Sequence, residues 1–224
     1  MGYDYYDFPI TSSSLDRADK TYTTTFTNEA QRKKAEFEIT FPDGSVGYYT
    51  PIQFHFHTPS EHTVDGKNYD LEVHFVHYIK NDDANGAPLL GAVLGVFFDT
   101  KVADGTENAF LKSYMEAVAV QGKNVAANSV PVREFFNQID MTDYWSYPGS
   151  LTTPPCSEGI KWSVVKEVQS LSVEQLAIFK DNMGERGNNR VVMDLNERTL
   201  YYSGAANIIA GLGAATFAVA ALAF

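Results

Sequence analysis

The run Gln53–His77 reads QFHFHTPSEHTVDGKNYDLEVHFVH and holds all five histidines of a 224-residue chain. Its two ends alternate apolar and polar residues, the period-2 pattern of a half-buried strand. On an extended chain His55 and His57 project to one face, Phe54 and Phe56 to the other. The turn-rich TPSEHTVDGKNYD lets the chain reverse. In the following LEVHFVH, Glu72, His74 and Val76 share a face and His77 points away. Antiparallel pairing of the two ends then brings His74 beside His55 and His57. Three neutral imidazoles on a rigid sheet can hold zinc and leave a fourth tetrahedral position open. The same histidines can also be polar groups hydrogen-bonded on a half-buried face, and for HxH alone that plainer reading leads. A third histidine on the second strand, two residues from a carboxylate, shifts the weight toward a metal.

Outward from this run, β-branched and alternating stretches predict further strands at 35–41, 48–57, 71–79, 89–98 and 162–168. Helical spacing predicts helices over 106–120 and after Ser172, where SVEQ forms a capping box. PDG at 42–44 and VDG at 64–66 are turn signals. No internal repeat or low-complexity linker divides residues 1–203, which read as one mainly β domain with a few helices at its edges. Apolar residues make up 44% of the chain, with 13 Tyr and 15 Phe, enough to bury a core. The formal net charge of −11 repels phosphate backbones and argues against a nucleic-acid partner. Cys156 is the single cysteine, so the chain has no internal disulfide.

The two ends differ. MGYDYYDFPITSSSLDR has neither the basic nor the apolar region of a signal peptide, and Tyr6 breaks the myristoylation pattern. Gly204–Phe224, in contrast, contains no charged residue. As a helix its twenty-one residues would span roughly 30 Å, the thickness of a bilayer's hydrocarbon core. The small residues Ser203, Gly204 and Ala205 before it suit a GPI-attachment signal; a retained single span and a buried core helix are the other readings. Residues 204–224 are therefore expected to be a membrane tail, and the protein to lie at the cell surface or outside the cell.

QFHFH, SEHTVDG, LEVHFVH, AVLGVF and YPGSLTTPP, in that order, resemble the α-class carbonic anhydrases across about residues 35–202. GNNRVVMDLNERTLYY resembles that family's closing segment. The resemblance implies a central, twisted, mostly antiparallel sheet with peripheral helices and a zinc site in it. Matched position by position, His55, His57 and His74 are the Zn2+ ligands. Gln53 and Glu72 hold the far nitrogens of His55 and His74. Thr152 is a gatekeeper hydroxyl and Glu61 the carboxylate that accepts its proton. Val76, Val93, Leu151, Ile160 and Trp162 form the apolar wall where carbon dioxide rests, and Thr153 is a further polar residue of the cavity. His62 and Tyr147 belong to a polar network behind the site; Arg190 and Arg198 are framework residues.

The implied reaction is reversible hydration of carbon dioxide to bicarbonate and a proton, by attack of zinc-bound hydroxide. The implied alternative is a carbonic-anhydrase-like binding domain that has lost the chemistry. Two departures stand out. No histidine precedes His55, so the relay position falls at Lys34 or Ala35 and no proton shuttle is identified. The family's longer segment before the first ligand is reduced here to a faint FPITS at 8–12, so the domain reads as N-terminally short. Cys156 matches one half of a disulfide found in secreted members.

Overall fold

The computed structural model describes residues 1–4, 8–9, 13–16, 21–26, 28–40, 46–79, 91–118, 129–184 and 186–203. The N-terminal part forms β1 (Gly2–Asp4), β2 (Phe8–Pro9), β3 (Ser13–Asp16), β4 (Thr21–Thr25) and a single helical turn, α1 (Glu29–Arg32). Then come β5 (Glu36–Thr40), the long β6 (Val46–His57) and a tight hairpin of β7 (Thr63–Val64) and β8 (Lys67–Asn68). Next are β9 (Leu71–Ile79), β10 (Gly91–Asp99) and α2 (Ala109–Val118). The remainder is β11 (Ser129–Val130), α3 (Val132–Gln138), β12 (Tyr144–Ser150) and β13 (Glu158–Val165), followed by β14 (Gln169–Ser170), α4 (Val173–Met183) and β15 (Tyr201–Ser203).

One large sheet runs β1-β5-β6-β9-β10-β13-β12-β15, with β4 added to β6, β3 to β4, and β14 to β10. Its ladders are antiparallel except β10–β13 and β10–β14, which are parallel. The sheet is thus mixed but mostly antiparallel, as expected. Every residue of β10 is buried, which is why GAVLGVFFD reads as a continuous apolar run rather than an alternating one. The predicted strand at 71–79 has those bounds; residues 89–90, 119–120 and the turn at 42–44 lie outside the described residues, as does the tail 204–224. VDG turns the β7–β8 hairpin with positive φ at Asp65 and Gly66. The Ser172 capping box is present: Gln175 N–H donates to Ser172 Oγ and Ser172 N–H to Gln175 Oε1.

The pairing of β6 with β9 decides where the histidines meet. Tyr49 lies opposite Ile79 and Pro51 opposite His77; then the register shifts, so that Gln53 faces Val76 and His55 faces His74. The bulge sits at Pro51–Gln53, where proline's missing N–H does the ladder least harm. Without that one-residue shift Val73, a residue of the opposite face, would lie across from His55. The bulge therefore sets the register in which the three histidines meet.

The two faces of the sheet bury different things. On one, Phe37, Phe54, Phe56 and Phe75 pack under Phe110 and Tyr114 of α2, Phe136 of α3 and Phe179 of α4. On the other, Val76, Val93, Phe97, Ile160, Trp162 and Val164 form a second apolar cluster beside the histidines. The strand before β6 is not its neighbour at the histidines. β5 pairs with Val46–Tyr49, while β4 pairs with Gln53–His55 and sets Thr23 opposite His55. Lys34 and Ala35 immediately precede β5, whose Phe37 faces Tyr49 near the middle of β6.

Candidate metal centre

β6 contributes His55 and His57 from one face, and β9 adds His74 directly across from His55. The ring centroids are 4.9, 5.2 and 4.7 Å apart for the pairs 55–57, 55–74 and 57–74. One nitrogen from each ring lies within 4.8 Å of the other two.

Each ring is held by its other nitrogen. His55 Nδ1 donates to Gln53 Oε1 at 2.9 Å and His74 Nε2 to Glu72 Oε1 at 2.9 Å. His57 Nδ1 donates to the Asn188 carbonyl at 3.4 Å. These bonds fix the tautomers and turn His55 Nε2, His57 Nε2 and His74 Nδ1 toward one another. Among the described residues His57 Nε2 and His74 Nδ1 are buried with no hydrogen-bond partner. Buried nitrogens without partners are costly unless something else binds them, and three imidazoles suit zinc. The residues present therefore fit a zinc ion.

The protonation of two of the three rings favours the same reading. Burial, with the other two imidazoles adding to it, holds His55 well below its ordinary value; burial brings His57 down to about 4. Both rings are neutral at pH 7 and offer lone pairs. Burial also opposes charge on His74, but the Glu72 carboxylate beside it, with Glu61 further off, overrides burial and leaves His74 raised.

Glu72 has four donors on its two oxygens. Oε1 accepts from His74 and, at 2.6 Å, from His62 Nδ1; Oε2 accepts the backbone N–H groups of Glu61 and His62. Burial pushes this carboxyl up, but His62 and His74 together pull it well below the usual range. Gly95, across β9–β10 from His74, leaves it room: a Cβ there would meet Glu72 Oε1 at 2.8 Å. His62 Nε2 in turn accepts from the Tyr147 hydroxyl at 2.8 Å, and the Arg198 guanidinium lies 5.6 Å from the Tyr147 ring centre. His77 points to the opposite face, where it stacks on Phe37 and hydrogen-bonds the Ala92 carbonyl through Nδ1.

Glu61 is buried; Oε1 accepts the Arg190 N–H at 2.8 Å and Oε2 has no hydrogen-bond partner among the described residues. Thr152 and Glu61 line one cavity together with Ser150, Tyr147 and Trp162. The structure brings the pair to the same space, but the expected Thr152-to-Glu61 hydrogen bond is not formed: Thr152 sits on irregular backbone beyond the Gly149/Ser150 register shift. The apolar wall is assembled. Val76, Val93 and Trp162 are cross-strand neighbours in one row over β9, β10 and β13, with Ile160 beside them and Leu151 packed against them. Trp162 sets its edge on His74 at 4.7 Å between centroids. Thr153 is in neither group; its carbonyl accepts the Cys156 N–H in the following turn.

Asn188 and Gly95 are the parts of the site that sequence reasoning missed. Asn188 acts through a backbone carbonyl, and it is 131 residues from the ring it holds. Among the described residues no helix is long and apolar enough to cross a membrane.

Residues 4–204 match the family model described as eukaryotic-type carbonic anhydrase, well upstream of the motifs legible by eye. A carbonic anhydrase of Dunaliella salina is 38% identical over 73% of this chain and 29% of its own length. One from Klebsiella pneumoniae is 40% identical over 79% of this chain and 68% of its own. The chain spans about half the length of other curated relatives it matches, 53% in two cases. Among solved structures, the α-carbonic anhydrase from Thermovibrio ammonificans in complex with the inhibitor sulfanilamide superposes with a TM-score of 0.67. It is 34% identical, over 89% of this chain and 78% of that one.

Proposed function

This chain belongs to the eukaryotic-type carbonic anhydrase family, and from that premise we propose that it hydrates carbon dioxide reversibly to bicarbonate and a proton, using zinc. One observation carries the reading: three convergent imidazoles whose outer nitrogens are pinned, set against the apolar row Val76–Val93–Trp162. His55, His57 and His74 hold the ion. Zinc, when bound, lowers the pKa of water to roughly 7 and so supplies a nucleophile at neutral pH.

The chain's own residues do the rest. Gln53, Glu72 and the Asn188 carbonyl keep the three rings in the ligating tautomer. Val76, Val93, Leu151, Ile160 and Trp162 offer carbon dioxide an apolar surface that does not compete for hydrogen bonds. Glu61 Oε2 is the open acceptor for the Thr152 hydroxyl proton. With that proton given away, the Thr152 oxygen can only accept, which orients the attacking group. All five histidines are committed: three to the cradle, His62 between Glu72 and Tyr147, and His77 in the core. The product proton therefore leaves to solvent without a histidine relay.

Two measurements together test this: zinc per chain by elemental analysis, and carbon dioxide hydration by stopped flow before and after chelation. One zinc per chain and activity lost with the metal are expected. A zinc-loaded protein that hydrates no carbon dioxide would instead be a silent binding domain.

For location, we infer a domain at 1–203 followed by a membrane tail at 204–224, at the cell surface or outside the cell. The support is twenty-one residues without a charge, long enough as a helix for a hydrocarbon core. Phospholipase release from intact cells separates a GPI attachment from a retained span. A full-length chain found wholly in the aqueous phase excludes both.

A further inference from the structure

We propose that the Asn188 side chain is a positioning residue for His57, so that the last segment of the chain closes the metal cradle. The inference rests on the reading of His57 as a ligand. β6 leaves its ladder at His57, which faces Glu72 as the last pair of the β6–β9 register. Beyond that pair the backbone polar groups on either side of His57 need other partners. Asn188 supplies them. Its Nδ2 donates to the Phe56 carbonyl at 3.0 Å and its Oδ1 accepts the Thr58 N–H at 3.0 Å. Its own N–H donates to the Thr58 carbonyl at 3.1 Å, and its carbonyl accepts from His57 Nδ1 at 3.4 Å.

The magnitudes decide which contact does the holding. At 3.4 Å the bond to the ring is at the long end of hydrogen-bond range and orients it only weakly. The side-chain amide makes two bonds of ordinary length, one to each residue flanking His57. It pins the backbone that carries the ring.

The residue type follows. An amide offers one donor and one acceptor in a fork; aspartate keeps the acceptor and would face the Phe56 carbonyl with a second oxygen. Gly187 makes the approach possible. It has a φ of +71°, and a Cβ there would run into the Thr58 carbonyl oxygen and lie 2.8 Å from Pro59 Cδ. Two residues on, the Arg190 N–H reaches Glu61. One short stretch thus touches both a ligand and the buried carboxylate.

The test uses the full chain loaded with zinc or with Co2+. Asn188→Ala should release zinc to excess chelator about 10–100-fold faster than wild type, the scale of losing an outer support of a ligand. It should also alter the visible absorption of the Co2+-loaded protein. Asn188→Asp, keeping one bond of the two, should fall between, and it is the variant to read if Asn188→Ala does not fold. A merely structural residue would lower the melting temperature of the zinc-free protein and leave release and spectrum unchanged; that result overturns the proposal. His57→Ala separates the two levels. If it keeps zinc with wild-type release, the ligand assignment and this proposal fall together. If it loses zinc while both Asn188 variants release it at the wild-type rate, only the positioning role falls.

Discussion

His74 and His77 are three residues apart on one strand, both buried, and their surroundings drive them in opposite directions. His74 faces two carboxylates and two imidazoles, and Glu72 keeps it basic in spite of burial. His77 faces phenylalanine, and burial brings it down to about 3 even though the Ala92 and Phe75 backbone groups oppose the shift. The residue type is the same; the face of the sheet assigns the role. On the ligand face substitutions should remove metal and chemistry. On the core face they should remove stability.

The sharpest way to break that division is His74→Ala, which should lose most of its zinc and nearly all activity, while His77→Phe keeps one zinc per chain. Equal zinc content in the two variants would erase the distinction. On the core face, Phe54→Ala should cost about 3–5 kcal/mol in urea unfolding, since Phe54 touches the rings of Phe26, Phe56, Phe75, Phe110 and Tyr114. Its surviving folded fraction should still bind zinc stoichiometrically. Thr152→Ala should keep the metal and slow hydration by about two orders of magnitude, the loss of one preorganised hydrogen bond. A change below about twofold would separate Thr152 from the reaction.

Acid sharpens the contrast further. An unfolded chain protonates His77 near its ordinary 6.5, while the folded chain refuses the proton until about 3. Below pH 6.5 the unfolded state therefore holds more protons, and stability falls as pH drops toward 3, by up to about 1.4 kcal/mol per unit. Above 6.5 this contribution is complete and flat. The urea midpoint of zinc-free protein should show a shallower acid slope in His77→Phe than in wild type. Identical slopes would mean His77 titrates normally. The smallest effect expected is on proton export: imidazole buffer should raise kcat a few-fold and leave kcat/KM unchanged. A kcat indifferent to buffer would reveal a relay within the chain.

Much of this was legible because the informative residues are close in sequence. The alternation in QFHFH and LEVHFVH fixes which residues share a face, and VDG announces the reversal between them. The bulge at Pro51–Gln53 was not legible, yet it sets the register; proline hints at a defect but not at its size. β12 escaped because Pro148 and Gly149 are poor strand formers, and β4 because TYTTT has no apolar alternation. β4 is a strand by virtue of its pairing with β6. Asn188 gave no periodic signal, since its role is a long-range contact.

The position of the cradle within the sheet bears on how quickly metal can be exchanged. Its ligands stand on β6 and β9, each hydrogen-bonded to strands on both sides, and His57 and His74 are fully buried. No loop hinge lies between the ligand residues and the ladders that fix them. Opening the cradle means breaking interior ladders, which lie at the high-stability end of local unfolding. A metal seated there should leave on the slow clock of the sheet's own breathing, and mild denaturant should speed its departure before the protein melts.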